Sequence, residues 1–131
     1  MASIFTRIIN GEIPCYKIAE DENYFAFLDI NPLQKGHTLV VPKLEVDYIF
    51  DLDSDIYLGL MDFAKRVSSA IKTVISCERI GLSVIGLEVP HAHIHLIPIN
   101  QIGDMNFSNK KENLTQAEML DIADRISNAF K

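Results

Sequence analysis

The chain has 131 residues and a mass of 14.8 kDa, 48% of them hydrophobic and 23% charged, the make-up of one globular domain with room for a core. Twelve Lys and Arg against eighteen Asp and Glu leave a net charge of −6, which argues against nucleic acid or an anionic membrane surface as partner. Cys15 and Cys77 form no Cys-x-x-Cys pair and read as reduced thiols of a cytoplasmic protein. The start, Met1 to Asn10, carries Arg7 within a short apolar stretch, so neither a signal peptide nor a spanning helix is expected there. Gly-x-Gly-x-x-Gly, Gly-x-x-x-x-Gly-Lys, Gly-x-Ser-x-Gly and His-Glu-x-x-His do not occur, which closes the common cofactor and hydrolase routes.

Ile4 to Asn10 reads as a short helix ending at Gly11. Two strand-like runs, Cys15 to Ala19 and Tyr24 to Leu28, are joined by Glu20-Asp21-Glu22-Asn23 and predict a hairpin. Asn31-Pro32 and Lys35-Gly36 punctuate a loop before a short apolar strand, Thr38 to Pro42. From Ile56 to Ile75 apolar residues recur at steps of three and four, the mark of one buried helical face, and Asp53, Ser54 and Asp55 suit its start. Strands are expected at Ile80 to Ile85 and Val89 to Ile99, then a polar loop from Asn100 to Asn113. A last helix is expected from Thr115, whose spacing to Glu118 is that of a capping box. The pattern predicts an α+β domain with an antiparallel sheet of about five strands, one long helix, a short N-terminal helix and a C-terminal helix. Residues 1–131 are read as a single domain in which 100–131 form a C-terminal loop and helix extension.

All four histidines fall in two places: His37 before one strand, and His91, His93 and His95 within another. Strand alternation puts the three imidazoles on one face, roughly 7 Å apart in a row along a surface or cleft, with Ala92, Ile94 and Leu96 on the core face. Three readings compete: exposed histidines without function, a metal site, and a nucleophile with flanking donors. A straight row about 14 Å long suits a metal poorly, because three rings cannot all reach one ion at about 2 Å. A neutral imidazole attacks phosphorus readily near neutral pH, and its neighbours can donate to the phosphate oxygens.

The run His91-Ala-His93-Ile-His95-Leu-Ile97 resembles the His-φ-His-φ-His-φ-φ signature of the histidine triad (HIT) superfamily of nucleotide hydrolases and transferases, φ being apolar. Ile4 to Pro14, Phe27-Leu-Asp-Ile-Asn-Pro32 and Lys35 to Lys43 resemble the same family in order and spacing, and the likeness continues weakly through Asp104 to Phe107. The resemblance implies that His93 is the nucleophile taking the nucleotidyl group, that His95 donates to the α-phosphate, and that His91 orients His93 through its backbone carbonyl, with His37 in the same network. It implies that Asp29 binds the ribose hydroxyls and that Ile4, Phe5, Ile8, Phe27 and Ile30 form the base pocket, purine being favoured over pyrimidine. Those five side chains also have an ordinary reading as core.

Two departures stand out. Members usually carry an Asn and a Gly-Gln in the loop before the triad, where they hold phosphate; this chain reads Ser83-Val-Ile-Gly86-Leu87-Glu88-Val89-Pro90, with Leu87 for glutamine and the carboxylate of Glu88 near the leaving group. Glu88 reads either as a general acid for that group or as a bystander. The zinc-binding branch has Cys-x-x-Cys where this chain has Ser3 and Thr6, so no structural zinc is expected. The expected function is hydrolysis or transfer of a nucleoside monophosphate through a histidine adduct, from a P–N or a P–O–P bond, by a homodimer that needs no cofactor. The alternatives are a nucleotide-binding interaction module with incidental catalysis and a metal-dependent hydrolase.

Overall fold

The computed structural model describes residues 1–131 as an α+β fold. Its elements in chain order are α1 (Ile4–Ile9), β1 (Lys17–Glu20), β2 (Tyr24–Leu28), β3 (Thr38–Pro42), α2 (Ser54–Val74), β4 (Arg79–Ser83), β5 (Ile94–Ile99) and α3 (Gln116–Ala129). Short 3-10 turns lie at Ile49–Asp51 and Ile102–Met105. The five strands pair antiparallel in the order β1-β2-β3-β5-β4.

Both long helices follow their local signals. The apolar face of α2 buries Leu60, Phe63, Val67 and Ile71, and α3 opens on the expected capping box between Thr115 and Glu118. The two helices cover one face of the sheet, where Ala26, Leu28, Val40, Ile94 and Leu96 meet Phe63, Ile122 and Ile126. The opposite face buries a smaller cluster of Phe5, Phe25, Phe27, Leu39 and Val41 beneath α1. Because both faces are covered, β2 and β3 are buried at every position and carry almost unbroken apolar runs.

Register positions the site. Phe27 pairs with Leu39, Leu39 with His95, and His95 with Ser83. Side chains directly opposite in an antiparallel ladder share a face, so Phe27 and His95 stand on the α1 side with Leu39 between them.

The expected strand from Val89 is shorter: β5 begins at Ile94, and His91 and His93 precede it. The neighbouring strands explain this. Pairing of β5 stops at Val40 on one side and at Ser83 on the other. Beyond Val40 the partner strand reaches Pro42, which has no N–H to offer. The backbone bonds elsewhere instead, from Ala92 N–H to Val46 O at 2.7 Å and from His91 N–H to Val89 O at 2.8 Å. The first strand is likewise Lys17–Glu20 rather than Cys15 to Ala19, with a register break between Lys17 and Ala19.

Candidate active site

Since the first two histidines lie off the ladder, they do not form the open row that strand alternation predicts. His37, His91, His93 and His95 are all buried, and the rings of His93 and His95 are 5.0 Å apart, edge to face. Ala92, Ile94 and Leu96 occupy the core face as expected.

The hydrogen-bond partners dictate each tautomer, because a carbonyl only accepts and a backbone amide only donates. His93 Nδ1–H donates to His91 O at 2.7 Å, so the lone pair of His93 is on Nε2. His91 Nε2–H donates to Pro42 O at 2.8 Å, and its Nδ1 accepts from the Ser3 hydroxyl at 2.7 Å. His37 Nδ1 accepts from Leu33 N–H at 3.0 Å, so its proton is on Nε2 and is donated to His95 Nδ1 at 3.0 Å. That leaves His95 with a free Nε2–H. Every fully buried side-chain nitrogen or oxygen has a partner, so the unbonded Nε2 atoms of His93 and His95 are not sealed in: one presents a lone pair, the other a proton.

Burial disfavours the charged form of His37, His91 and His95. Desolvation foremost, then the His95 ring and Lys111, pushes the pKa of His37 down to about 3; desolvation, then His93, pushes that of His95 down to about 4. His91 is also lowered, chiefly by burial, against the opposing pull of its bond to Pro42 and of Glu45. Asp29 approaches His37 Nε2 at 3.6 Å, but with a neutral imidazole this is no ion pair. Its carboxyl is raised, first by desolvation and also by Glu88, against the Asn31 N–H bond at 2.8 Å, His93 and Lys111.

Asp29, His37 and His95 offer atoms within 4.8 Å of one another, a possible metal-ligand set. Sequence reasoning weighed the metal on the row of His91, His93 and His95 instead. The donor set does not fit a cation: an ion would take the Nε2 lone pair of His37 and drive its proton onto Nδ1, against the Leu33 N–H. The two rings are joined instead as a hydrogen-bond relay from Leu33 N–H through His37 to His95.

A cavity of about 370 Å³ opens over His93 and His95, lined by twenty residues of which thirteen are hydrophobic, within the usual size of a small-molecule site. It brings together all the residues named for the nucleotide: Ile4, Phe5, Ile8, Phe27, Asp29, Ile30 and Glu88. Phe5 and Phe27 are buried and in edge contact at 5.6 Å, whereas Ile30 is 71% exposed and forms only the rim. The Phe5 ring also meets His93 edge to face at 4.9 Å.

Sequence reasoning missed several contributors. Phe107, from the loop after β5, lines the cavity and packs edge to face on His95 at 4.9 Å and on His37 at 6.3 Å. Its only signal was its place at the weak end of the resemblance. Ser3 caps α1 by accepting from Thr6 N–H while holding His91, and Thr6 Oγ1–H donates to Glu45 at 2.6 Å. These bonds, with that from Ser3 N–H, hold the Glu45 carboxyl down at about 2. The positions that the resemblance links to zinc-binding cysteines are therefore spent on a hydroxyl latch.

Comparison with known proteins bears on the family and the fold. The profile of the HIT domain matches residues 10–102. An uncharacterised HIT-like protein of Borreliella burgdorferi is 40% identical over 102 residues, covering 72% of this chain and 73% of its own. The adenosine 5'-monophosphoramidase HNT1 of Saccharomyces cerevisiae is 38% identical over 99 residues, covering 74% of this chain and 62% of its own. Among solved structures, a Hit-like protein from Bartonella henselae superposes with a TM-score of 0.84 at 26% identity, covering 98% of this chain and 96% of its own. With the signature at His91 to Ile97, the profile match and the shared fold in agreement, the chain belongs to the HIT domain family.

Proposed function

We propose that this protein hydrolyses or transfers a purine nucleoside monophosphate through a covalent adduct on His93. The observation that carries the reading is the tautomer chain: His93 offers an Nε2 lone pair to the cavity while His95 offers an Nε2–H beside it. A nucleophile and an oxyanion donor are then in place before substrate arrives. The Nε2 lone pair forms a bond to the α-phosphorus, the bond to the leaving group breaks with its electron pair, and that group takes a proton from solvent. Water then adds to phosphorus and gives up its proton to solvent, the bond to His93 breaks back onto Nε2, and the nucleoside monophosphate departs. His95 holds a phosphoryl oxygen through both steps, and the His91 carbonyl keeps the nucleophile in its tautomer.

Asp29 at the cavity wall suits the ribose hydroxyls, and Phe5, Ile8 and Phe27 suit the flat faces of a base, with Ile4 and Ile30 at the rim. The yeast relative is named for phosphoramidase activity, which supports a P–N bond as one bond cleaved. The test is intact-protein mass spectrometry after incubation with adenosine 5'-phosphoramidates. An added nucleotidyl mass in wild type, absent from His93→Ala, is expected; an equal adduct in both would overturn the role of His93.

A further inference from the structure

On the reading just given, the leaving group remains to be identified, and the charge of the cavity identifies its class. We propose that the site takes a leaving group that is apolar or positively charged and rejects an anionic one, with Glu88 as the selecting residue and Leu87 and Phe107 as its apolar flanks.

The first observation is an absence of cations. None of the twenty cavity-lining residues is Lys or Arg, while two, Asp29 and Glu88, are carboxylic acids, and the His95 beside them is held neutral by burial. A polyphosphate or sulfate leaving group would bring further negative charge into a partly desolvated cleft whose own lining holds no cation, where like charges repel far more than in water. Lys111 lies outside the lining: its Nζ donates to Phe107 O at 2.6 Å and to Asn109 O at 3.2 Å, and its charge is felt at Asp29 and His37.

The second observation places Glu88. It is an exposed residue of the cavity lining whose charge is felt at Asp29, so it stands at the mouth, within reach of the outer end of a bound molecule. No side chain hydrogen-bonds to it and no ion pair neutralises it. Leu87, next to it in the chain, is 89% exposed and lines the same cavity, as does Phe107, which packs on His95. An exposed leucine beside an unpaired carboxylate at a cavity mouth fits a partner with an aliphatic stem and a positive end. An amine carried on a P–N bond, with a second ammonium farther out, has that chemistry.

The test compares four adenosine 5'-phosphoryl derivatives: three P–N compounds of matched amine basicity, whose amines bear respectively no charge, a second ammonium and a carboxylate, and adenosine 5'-phosphosulfate. kcat/KM is measured for wild type, Glu88→Gln and Glu88→Lys, and Kd for the same four on His93→Ala by calorimetry. Wild type should favour the ammonium-bearing amine over the carboxylate-bearing one by about tenfold or more, equal to about 1.4 kcal/mol; Glu88→Gln should remove most of that ratio and Glu88→Lys should invert it. Turnover with no dependence on leaving-group charge, or a ratio unmoved by Glu88→Lys, overturns the proposal and leaves the histidine adduct standing. The same charge order in Kd without turnover of any compound overturns the catalytic reading and upholds the charge selection. Failure of all four to bind overturns both.

Discussion

At the scale of single residues, the chemistry rests on which nitrogen of each imidazole carries its proton. His93→Ala should lower kcat by several orders of magnitude while the fold and nucleotide affinity survive, since the ring bonds only to the His91 carbonyl and faces the cavity. A variant keeping more than about a tenth of wild-type activity, a loss of only about 1.4 kcal/mol, would remove His93 as nucleophile. Asp29→Ala should abolish a preference for ribose over 2'-deoxyribose substrates; equal kcat/KM for both sugars in wild type would take Asp29 out of the sugar site. The depressed pKa values of His37 and His95, about 3 and about 4 against the ordinary 6.5, carry a pH dependence with a definite sign. The unfolded chain binds protons on these rings first, so their effect is neutral above the ordinary value and stability is lost as pH falls from 6.5 toward 4. The raised Asp29 opposes this with one carboxyl against three imidazoles, since His91 is lowered as well. Tm should therefore fall steadily between pH 7 and pH 5, and a flat profile would contradict the neutral relay.

At the scale of elements, α1 is too short to be stable alone, at six residues, and is held by what its cap touches. The Ser3 hydroxyl serves two partners, the Thr6 amide of its own helix and the buried Nδ1 of His91. Ser3→Ala removes a cap worth about 1 kcal/mol and leaves a buried acceptor unpaired at a further cost of about 1 kcal/mol or more. The expected fall in Tm is on the order of 8 °C, largely restored by Ser3→Thr; thermal unfolding checks both. Gly59 in α2 shows tertiary packing reversing a local rule. Ala favours helix over Gly by about 1 kcal/mol, yet a Cβ here would run into the Tyr24 hydroxyl, which donates to Ile56 O at 2.9 Å from a buried position on β2. Gly59→Ala should lower Tm despite the better helix propensity, and an increase would show that Tyr24 yields freely.

At the scale of the whole molecule, the two edges of the sheet differ. The β1 edge carries Lys17 and Glu20, charges that discourage pairing with another chain. The β4 edge and the segment after it expose Leu82, Val84 and Ile85, a surface suited to the homodimer that the family resemblance implies. Light scattering should then give twice 14.8 kDa, with Leu82→Lys shifting the species toward monomer. A monomer at every concentration tested would remove the dimer. No helix is long and apolar enough to cross a membrane.

What was legible in the sequence is what short-range period and chemistry determine. The steps of three and four fixed the buried face of α2, the Thr115–Glu118 spacing set the start of α3, and the alternation through Ala92, Ile94 and Leu96 named the core side of the triad. The family signature drew attention to His93 and His95, which line the cavity. The tertiary structure decided what depends on partners distant in the chain. His37 meets His95 across 58 positions and Ser3 meets His91 across 88, so neither the tautomers nor the burial that keeps the rings neutral has a local signal. The same holds for Glu45 under α1, for Phe107 against the relay, and for β5 starting at Ile94. A ladder ends where its neighbours stop offering hydrogen bonds, and a proton sits where its acceptor stands; both are properties of the assembled sheet.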